Sequence, residues 1–575
     1  MGDTLTKIRW ADGEKNLLTA CILTLAALLI SLPLFSTSQI LAGYDLPFHL
    51  GHIEGLAAGL SSGQFPVRVN PVQLGGYGMP TSIFYPDFFL YPLAFLRLAG
   101  ISLVTCWNLG LFGINILTVF AAWWAFSLYA QSSRLGAVAA LFYLGCLYRM
   151  VTMYVGAGIS SALAMAFFPA ALVSIWVTLR RNAAYWPAVV LFSTGVLLSH
   201  IVTSLLLIAV TLLMVLCSLS RFRFKVVRQS SGKAVGFTAL LSIWYYAPLL
   251  YFHHHMGYLM KSAVSQQGVW DWTIFPLRVC DYYVGSVLIL LCALLSVFLL
   301  LYRRQVRIQA KSFFTLLLVS VAILLILSHP QPWHILGSLV GVLQFPARLA
   351  VFPMTFLSMA AALGLAAVHK AHPIPYPRAI VFLLALLLYG GNFFWMSGYG
   401  YGIPPQPRGE TFNLRPMPVA DYLAQLDIGY SGYKDYMDEE AFQRLQQPSP
   451  EETEARMQQK FQDRVPHPET RIADVRRIGT DFVIHYRAGE ADWVQLPVFW
   501  YAGERATDLD GTSQIIRKDS DGQVSVWLPQ TAGTVHVWYD GLSWFHLTDL
   551  ASWFGLFIFA WIATRSYRLG CSNRK

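Results

Sequence analysis

Apolar runs close to twenty residues long recur from one end of the chain to the other, and such runs leave few folds open. The first, residues 16–35 (NLLTACILTLAALLISLPLF), is long enough to cross a bilayer as a helix. Taking 16–37 as the first span, others fall at roughly 104–129, 136–154, 159–179, 184–199, 201–219, 234–251, 282–302, 312–328, 346–367, 378–397 and 546–565. Inside lipid each backbone amide must be satisfied within the protein, so these runs are expected to be helices, about twelve in all. With 55% hydrophobic and 13% charged residues in 575, the chain does not read as a soluble enzyme. No small-residue cleavage site clearly ends the first run, which is read as a retained span. The window 84–99 is also apolar, but it holds Asp87, two prolines and an Arg, and is expected to be a loop helix that does not fully cross.

Charge sets the orientation. Residues 399–544 carry 14 Lys+Arg and 22 Asp+Glu, whereas the remainder carries 27 basic and only nine acidic residues: Asp3, Asp12, Glu14, Asp45, Glu54, Asp87, Asp271, Asp281 and Asp549. The basic clusters at Lys7–Lys15, Arg134, Arg180/Arg181, Arg221–Arg228, Arg303–Lys311, His369–Arg378 and Arg565–Lys575 all fall on one side of a twelve-span chain. That side is expected to be the cytoplasm, with both termini on it, and the excess reads as positive-inside anchoring and not as a nucleic-acid patch. The opposite side then holds the loop 38–103, short turns near 155–158 and 200, the loop 252–281, the segment 329–345 and the insert 399–544. The seven cysteines show no disulfide pattern.

Three parts follow: a transmembrane module 1–398 with a functional first outer loop, a soluble outer domain 399–544, and a last span with a basic tail over 545–575. Helix-forming stretches at 437–464 (DEEAFQRLQQ, SPEETEARMQQKFQDR) precede alternating segments that begin at Asp481, Trp493, Gln523 and Thr534. Turns such as DLDG and DSDG separate the latter, which predicts a small antiparallel β-sandwich within an α+β domain.

Ionisable groups beside a membrane are costly unless they face water, a partner or a ligand. The first outer loop opens with Tyr44-Asp45-Leu46-Pro47-Phe48-His49 and runs on through His52 and Glu54 to Arg68 and Gly75-Gly76-Tyr77-Gly78. Asp45, His49 and His52 share one face if this segment is helical, and the set suits a base or a divalent cation. Equally, Asp45 could be a helix N-cap or a partner of Arg68 or His49. Asp87, beside Tyr85, is either a second acid or the cap of the helix that follows. Arg149 and Arg348, near outer span ends, need an anion, and a lipid phosphate is one option beside snorkelling. His200, His253–His255, His329 and His334 could bind a sugar or phosphate, or simply belong to the interfacial belt. No metal-ligand set is assigned. The absence of a Walker A sequence, a GxGxxG turn and a Ser-His-Asp spacing argues against an ATP-driven pump or a cytosolic nucleotide-sugar enzyme.

A first span followed by a long outer loop that opens on the acid of YDLPFH resembles the GT-C superfamily, polytopic glycosyltransferases that use polyprenyl-phosphate-linked donors. GQFPVRVNP, GGYGMP and FYPDFFLYPL resemble one bacterial branch, the YfhO-like proteins and those labelled "6-pyruvoyl-tetrahydropterin synthase related". LQFPAR resembles that branch's FPxR motif, SIWYYAPLL its mid-chain span, and LPVFWY before a last span its outer β domain. The resemblance covers nearly the whole chain. It implies Asp45 as catalytic base and Arg348 as a contact to the donor phosphate; by residue type and placement alone, Asp87 is the candidate second catalytic acid, and His49, His52, Glu54, Arg68, Tyr85, Arg149, His200 and His329 are candidate substrate contacts. One departure stands out: Tyr148-Arg149 is followed by MVTMYVGAGISS, without the branch's Glu, so that role is absent here or falls to Asp87 or Glu54.

The function implied is transfer of a sugar from a polyprenyl (undecaprenyl) phosphate to a glycan, lipid or protein acceptor of the cell envelope, on the outer face of a bacterial cytoplasmic membrane. Nucleic acid has no part in it. A transporter or flippase of the same lipid-linked sugars is the alternative, although no repeated halves are visible. A non-catalytic assembly factor is a third reading.

Overall fold

The computed structural model describes residues 13–35, 40–41, 43, 45–73, 76–255, 285–302, 306–329, 343, 346–373, 377–398, 416–417, 471–520 and 522–572. The expected helices of 437–464, residues 256–281 of the loop 252–281, Gly75 and His334 lie outside these residues. In chain order the main helices are α1 (Gly13–Phe35), α2 (Leu46–Ser61), α3 (Thr81–Phe84), α4 (Tyr91–Leu98), α5 (Leu103–Ala130), α6 (Ser133–Leu144), α7 (Leu147–Met150) and α8 (Ile159–Arg180). They continue with α9 (Trp186–Leu197), α10 (Ile201–Leu216), α11 (Lys225–His255), α12 (Ser286–Leu301), α13 (Arg307–Ser328), α14 (Val351–Ala371), α15 (Pro377–Gly398) and α16 (Ser543–Ser572).

Among the described residues seven helices are long and apolar enough to cross a membrane, and the bent pair Ser133–Leu144 and Leu147–Val155 would make an eighth. Shorter apolar helices lie at Ala183–Leu197, Ile201–Leu216, Ser286–Leu301 and Arg378–Phe394, each at an expected span. The shortness of these four separates seven or eight spans from the expected twelve. The window 84–99 forms a 3-10 turn at Phe88–Leu90 and the short α4, as its prolines and Asp87 led one to expect.

By its internal contacts the chain divides into two compact units. One comprises Met1–Tyr44, Asn108–Thr238 and Gln267–Met417, the helical bundle. Its sharpest feature is the break between α6 and α7, a bend of 53° at Gly145 and Cys146. A break frees carbonyls that lipid cannot solvate, so side chains must supply donors. Asn392 Nδ2 donates to Gly145 O at 2.7 Å, Tyr389 hydroxyl to Leu141 O at 2.8 Å and Arg149 Nε to Leu144 O at 3.0 Å. Gly145 has to be glycine here, because a Cβ would fall 2.3 Å from the Tyr389 ring.

The other unit comprises Asp45–Trp107, Ala239–Gln266 and Pro418–Lys575. Strands β1 (Ile40–Leu41) and β2 (Pro416–Met417) pair within the bundle unit, and in this second unit two sheets form a sandwich. The first has the order β3 (Ile472–Ile478), β4 (Asp481–Tyr486), β9 (Gly533–Tyr539), β6 (Glu504–Asp508), and the second β5 (Asp492–Phe499), β8 (Gln523–Leu528), β7 (Ile516–Lys518). Period-2 alternation sends Phe482, Ile484, Val535 and Val537 inward from one sheet and Val494, Leu496, Val524 and Val526 from the other. Pairing is antiparallel, with Ile484 opposite Val535 and Val494 opposite Val526. The β5 register shifts between Gln495 and Phe499, where Pro497 has no N–H to give the ladder.

The sandwich does not stand apart from the first outer loop. Phe48, Val69, Tyr77, Met79, Phe84, Phe252, Phe499, Tyr501, Tyr539 and Phe545 form one buried aromatic core, drawn from the loop, the end of α11, the strands and the head of α16. Burial of each such ring contributes about 1.5–3 kcal/mol. Phe499 N donates to Tyr77 O at 2.9 Å, and the Tyr501 hydroxyl to Gly78 O at 3.1 Å. Between them Gly78, at φ +84, closes the hairpin in which Asn70 pairs with Met79.

Candidate functional site

The segment 45–91 carries most of the residues singled out by sequence. α2 starts at Leu46 with Pro47 in its first turn, where the missing N–H costs nothing. Asp45 occupies the N-cap position, yet its side chain accepts no bond from the first-turn amides. It is exposed, so of the bland roles weighed for it, capping is not the one it performs.

One and two turns on, His49 and His52 are sealed, at 1% and 0% exposure. Their ring neighbours are aromatic. Phe48 lies 4.8 Å from His52 between ring centres, Tyr85 lies 5.6 Å from His49 and 5.7 Å from His52, and Trp107 stacks on His49 at 6.4 Å. Burial lowers both imidazoles to about 3, and for His49 the neighbouring His52 adds to the effect. Both are therefore neutral near pH 7. His49 Nδ1 and both nitrogens of His52 have no hydrogen-bond partner among the described residues. No three His, Cys, Asp or Glu side chains among the described residues converge as a metal site, so the pair supplies at most part of one.

Asp87 is 2% exposed, and its side chain does not cap the turn it precedes. Burial raises its carboxyl to about 7, and the charge of Arg68 only partly offsets that rise. Oδ2 has no hydrogen-bond partner among the described residues, nor has Ser82 Oγ. Arg68 is already engaged. Its Nη2 pairs with Asp549 Oδ1 at 2.6 Å, Nη1 donates to Trp244 O at 3.4 Å, and the guanidinium lies over Phe545. Glu54 is taken by Arg97 Nε at 2.7 Å. Tyr91, which the sequence reading passed over, ties the loop to α4 by accepting from Val67 N at 2.9 Å.

The bundle unit holds the rest. Arg149 is fully buried and donates to Asn115 Oδ1 at 2.6 Å as well as to Leu144 O, a clamp on the helix break. His200 caps α10, accepting from Thr203 N at 3.3 Å. His329 ends α13 with Nδ1 near Leu325 O at 3.0 Å and the Ser328 hydroxyl at 2.9 Å. Arg348 sits half-buried in the 3-10 turn Pro346–Ala350 before α14, within electrostatic reach of Tyr148. Of the sequence-derived set, the structure thus brings His49, His52 and Tyr85 together, leaves Asp87 within electrostatic reach of Arg68 but not paired with it, and gives Glu54, Arg149 and His200 partners of their own. Asp549 was visible as a lone acid in the last apolar run, and that rarity was the available sign that it pairs with a buried cation.

No protein-family model and no curated protein matches the chain. Among solved structures it is similar to the arabinofuranosyltransferase AftD from Mycobacteria, with 16% identity and a TM-score of 0.38. The alignment covers 65% of this chain and 26% of that one, so the chain spans about a quarter of that protein's length. At that score the likeness assigns neither fold nor activity.

Proposed function

We propose that the chain is a membrane glycosyltransferase, moving a sugar from a polyprenyl-phosphate-linked donor to an acceptor on the extracytoplasmic face. One observation carries the reading: Asp45 is an exposed carboxylate at the head of α2, in the N-cap position without capping. It stands in a membrane part with only nine acids. The chemistry is a single displacement. Asp45 takes the proton of the acceptor hydroxyl as its oxygen attacks the anomeric carbon. The bond from that carbon to the phosphate oxygen breaks, and the polyprenyl phosphate leaves with the electron pair, inverting the anomeric centre. Arg348 is proposed to meet the charge that grows on the departing phosphate. His49, His52 and Tyr85 pack as a cluster of rings on α2 and are proposed as positioning residues, and Asp87 is proposed as a second acid of the site.

Asp45→Asn tests the assignment in vesicles supplied with a polyprenyl-phosphate sugar. The expected loss is about 100-fold or more, the usual scale for a general base. A rate within a few fold of the parent, with the fold intact, overturns the assignment.

The broken α6–α7 pair favours one other reading, a transporter or flippase, since discontinuous helices line many transport sites. Its freed carbonyls at Leu141, Leu144 and Gly145 are spent on Tyr389, Arg149 and Asn392 and are not open to an ion or substrate. Translocation of intact donor with no new glycosidic product would establish transport in place of transfer.

A further inference from the structure

We propose that the bundle unit binds an anionic glycerophospholipid, one acyl chain lying in a groove between α8, α10, α13 and α14 and the phosphate held by Arg180 and Arg221. The groove has a volume of about 730 Å³ and is walled by Trp176, Leu206, Leu213, Met214, Ile323 and Phe352, with Arg180 its one charged lining residue. Along α10 it reaches from Leu206 to Cys217, about 16 Å at 1.5 Å per residue. That is close to half the hydrocarbon thickness of a bilayer, roughly 15 of 30 Å. An acyl chain fits this length, and the charged end marks where its headgroup stops.

Charge decides the class of headgroup. Arg180 donates from Nη2 to Cys217 O, and Arg221 Nη2 donates to Arg180 O at 3.3 Å, so both basic side chains lie where α8 and α10 end. Arg223, Lys225 and Arg228 follow in sequence, and residues 108–238 contain nine Lys and Arg but no Asp or Glu. Among the described residues neither Arg180 nor Arg221 forms an ion pair with a carboxylate, and an anionic headgroup would balance both. Basic pockets between membrane helices take phospholipid phosphates in this way. Arg348 does not line the groove, although Leu349 beside it does, so competition with polyprenyl phosphate is what separates this lipid from the proposed donor.

The test uses the full chain in nanodiscs of equal phosphatidylglycerol and phosphatidylcholine, with retained lipid weighed by native mass spectrometry after mild detergent release. Phosphatidylglycerol is expected to be enriched at least five-fold over phosphatidylcholine. Arg180→Gln with Arg221→Gln should bring the ratio near one. Ala209→Phe, which fills an exposed position in the groove, should reduce retention of both lipids and needs no change of charge. Equal retention of the two lipids by the parent, a ratio unchanged in the double variant, or displacement of phosphatidylglycerol by equimolar polyprenyl phosphate would each overturn the proposal. The last result would give the groove to the donor instead.

Discussion

Arg68 Nη2 lies 2.6 Å from Asp549 Oδ1 and so joins the first outer loop to the head of the last helix across 481 residues of sequence. Both side chains are nearly enclosed, at 7% and 11% exposure. Removing one partner leaves a buried charge uncompensated, which costs about 3–5 kcal/mol, whereas removing both with apolar replacements costs far less. Asp549→Ala is therefore expected to lower the unfolding temperature sharply, and Arg68→Leu with Asp549→Ala to recover most of the loss. A double-mutant cycle in detergent measures this. Simple additivity of the two changes would show that the ion pair contributes nothing.

Asp87 predicts a pH dependence of opposite sign to that of a paired carboxylate. Its folded value, about 7, lies above the ordinary 3.8, so the folded protein holds this proton more tightly than the unfolded chain. Stability from this group is full below pH 3.8, falls as the pH rises toward 7, and is level above that. Asp87→Asn removes the fall. Unfolding temperatures taken from pH 4 to 8 should diverge in the variant's favour. Parallel profiles for parent and variant would remove the burial account.

The histidine pair acts on the other side. His49 and His52 are lowered from 6.5 to about 3, so their contribution is complete above pH 6.5 and is lost as the pH falls from 6.5 toward 3. His52→Phe keeps a ring against Phe48 and Tyr85 and removes two unpaired nitrogens. Stability near pH 7.5 is expected to be unchanged or higher by about 1 kcal/mol, with a larger gain at pH 5. A clear loss at both values would mean the imidazole has a partner that matters.

Two glycines separate strain from collision. Gly503 has φ +117, and a Cβ there would sit 2.4 Å from the backbone of Gly541. Gly511 has φ +80 with nothing within 4 Å. Gly511→Ala should cost about 1–2 kcal/mol, the left-handed penalty alone. Gly503→Ala should cost clearly more, because backbone cannot swing aside as a side-chain end can. Similar losses for the two, read by thermal unfolding, would leave the close approach without weight.

The helices were legible because hydropathy is a local signal, averaged over twenty neighbours. Strands β4, β5, β8 and β9 were legible for a related reason: Asp481–Tyr486 and its like alternate cleanly. β3 was not, since IADVRRI buries only parts of its side chains and shows no period of two. The site was legible in composition and less so in pairing. Asp45 was offered Arg68 as a partner because the two are near in sequence, but Arg68 takes Asp549, and no local pattern encodes that choice. The scarcity of acids in the membrane part points Arg149 to a phosphate or to snorkelling, while its partner is the neutral amide of Asn115, which charge alone does not reveal. The unity of the loop and the sandwich was hidden likewise, since a core assembled from Phe48, Phe252, Phe499 and Phe545 has no signature within any one of its pieces.

That core also imposes a wait during synthesis. At roughly 5–20 residues per second, the 481 residues between Arg68 and Asp549 take about 25–95 s to emerge from the ribosome. Throughout that interval the guanidinium of Arg68 and the rings of Phe48, Tyr77 and Phe84 are made but lack their last partners. A nascent chain stalled before α16 would expose them together, which makes the C-terminal helix the latch of an assembly begun near the N-terminus.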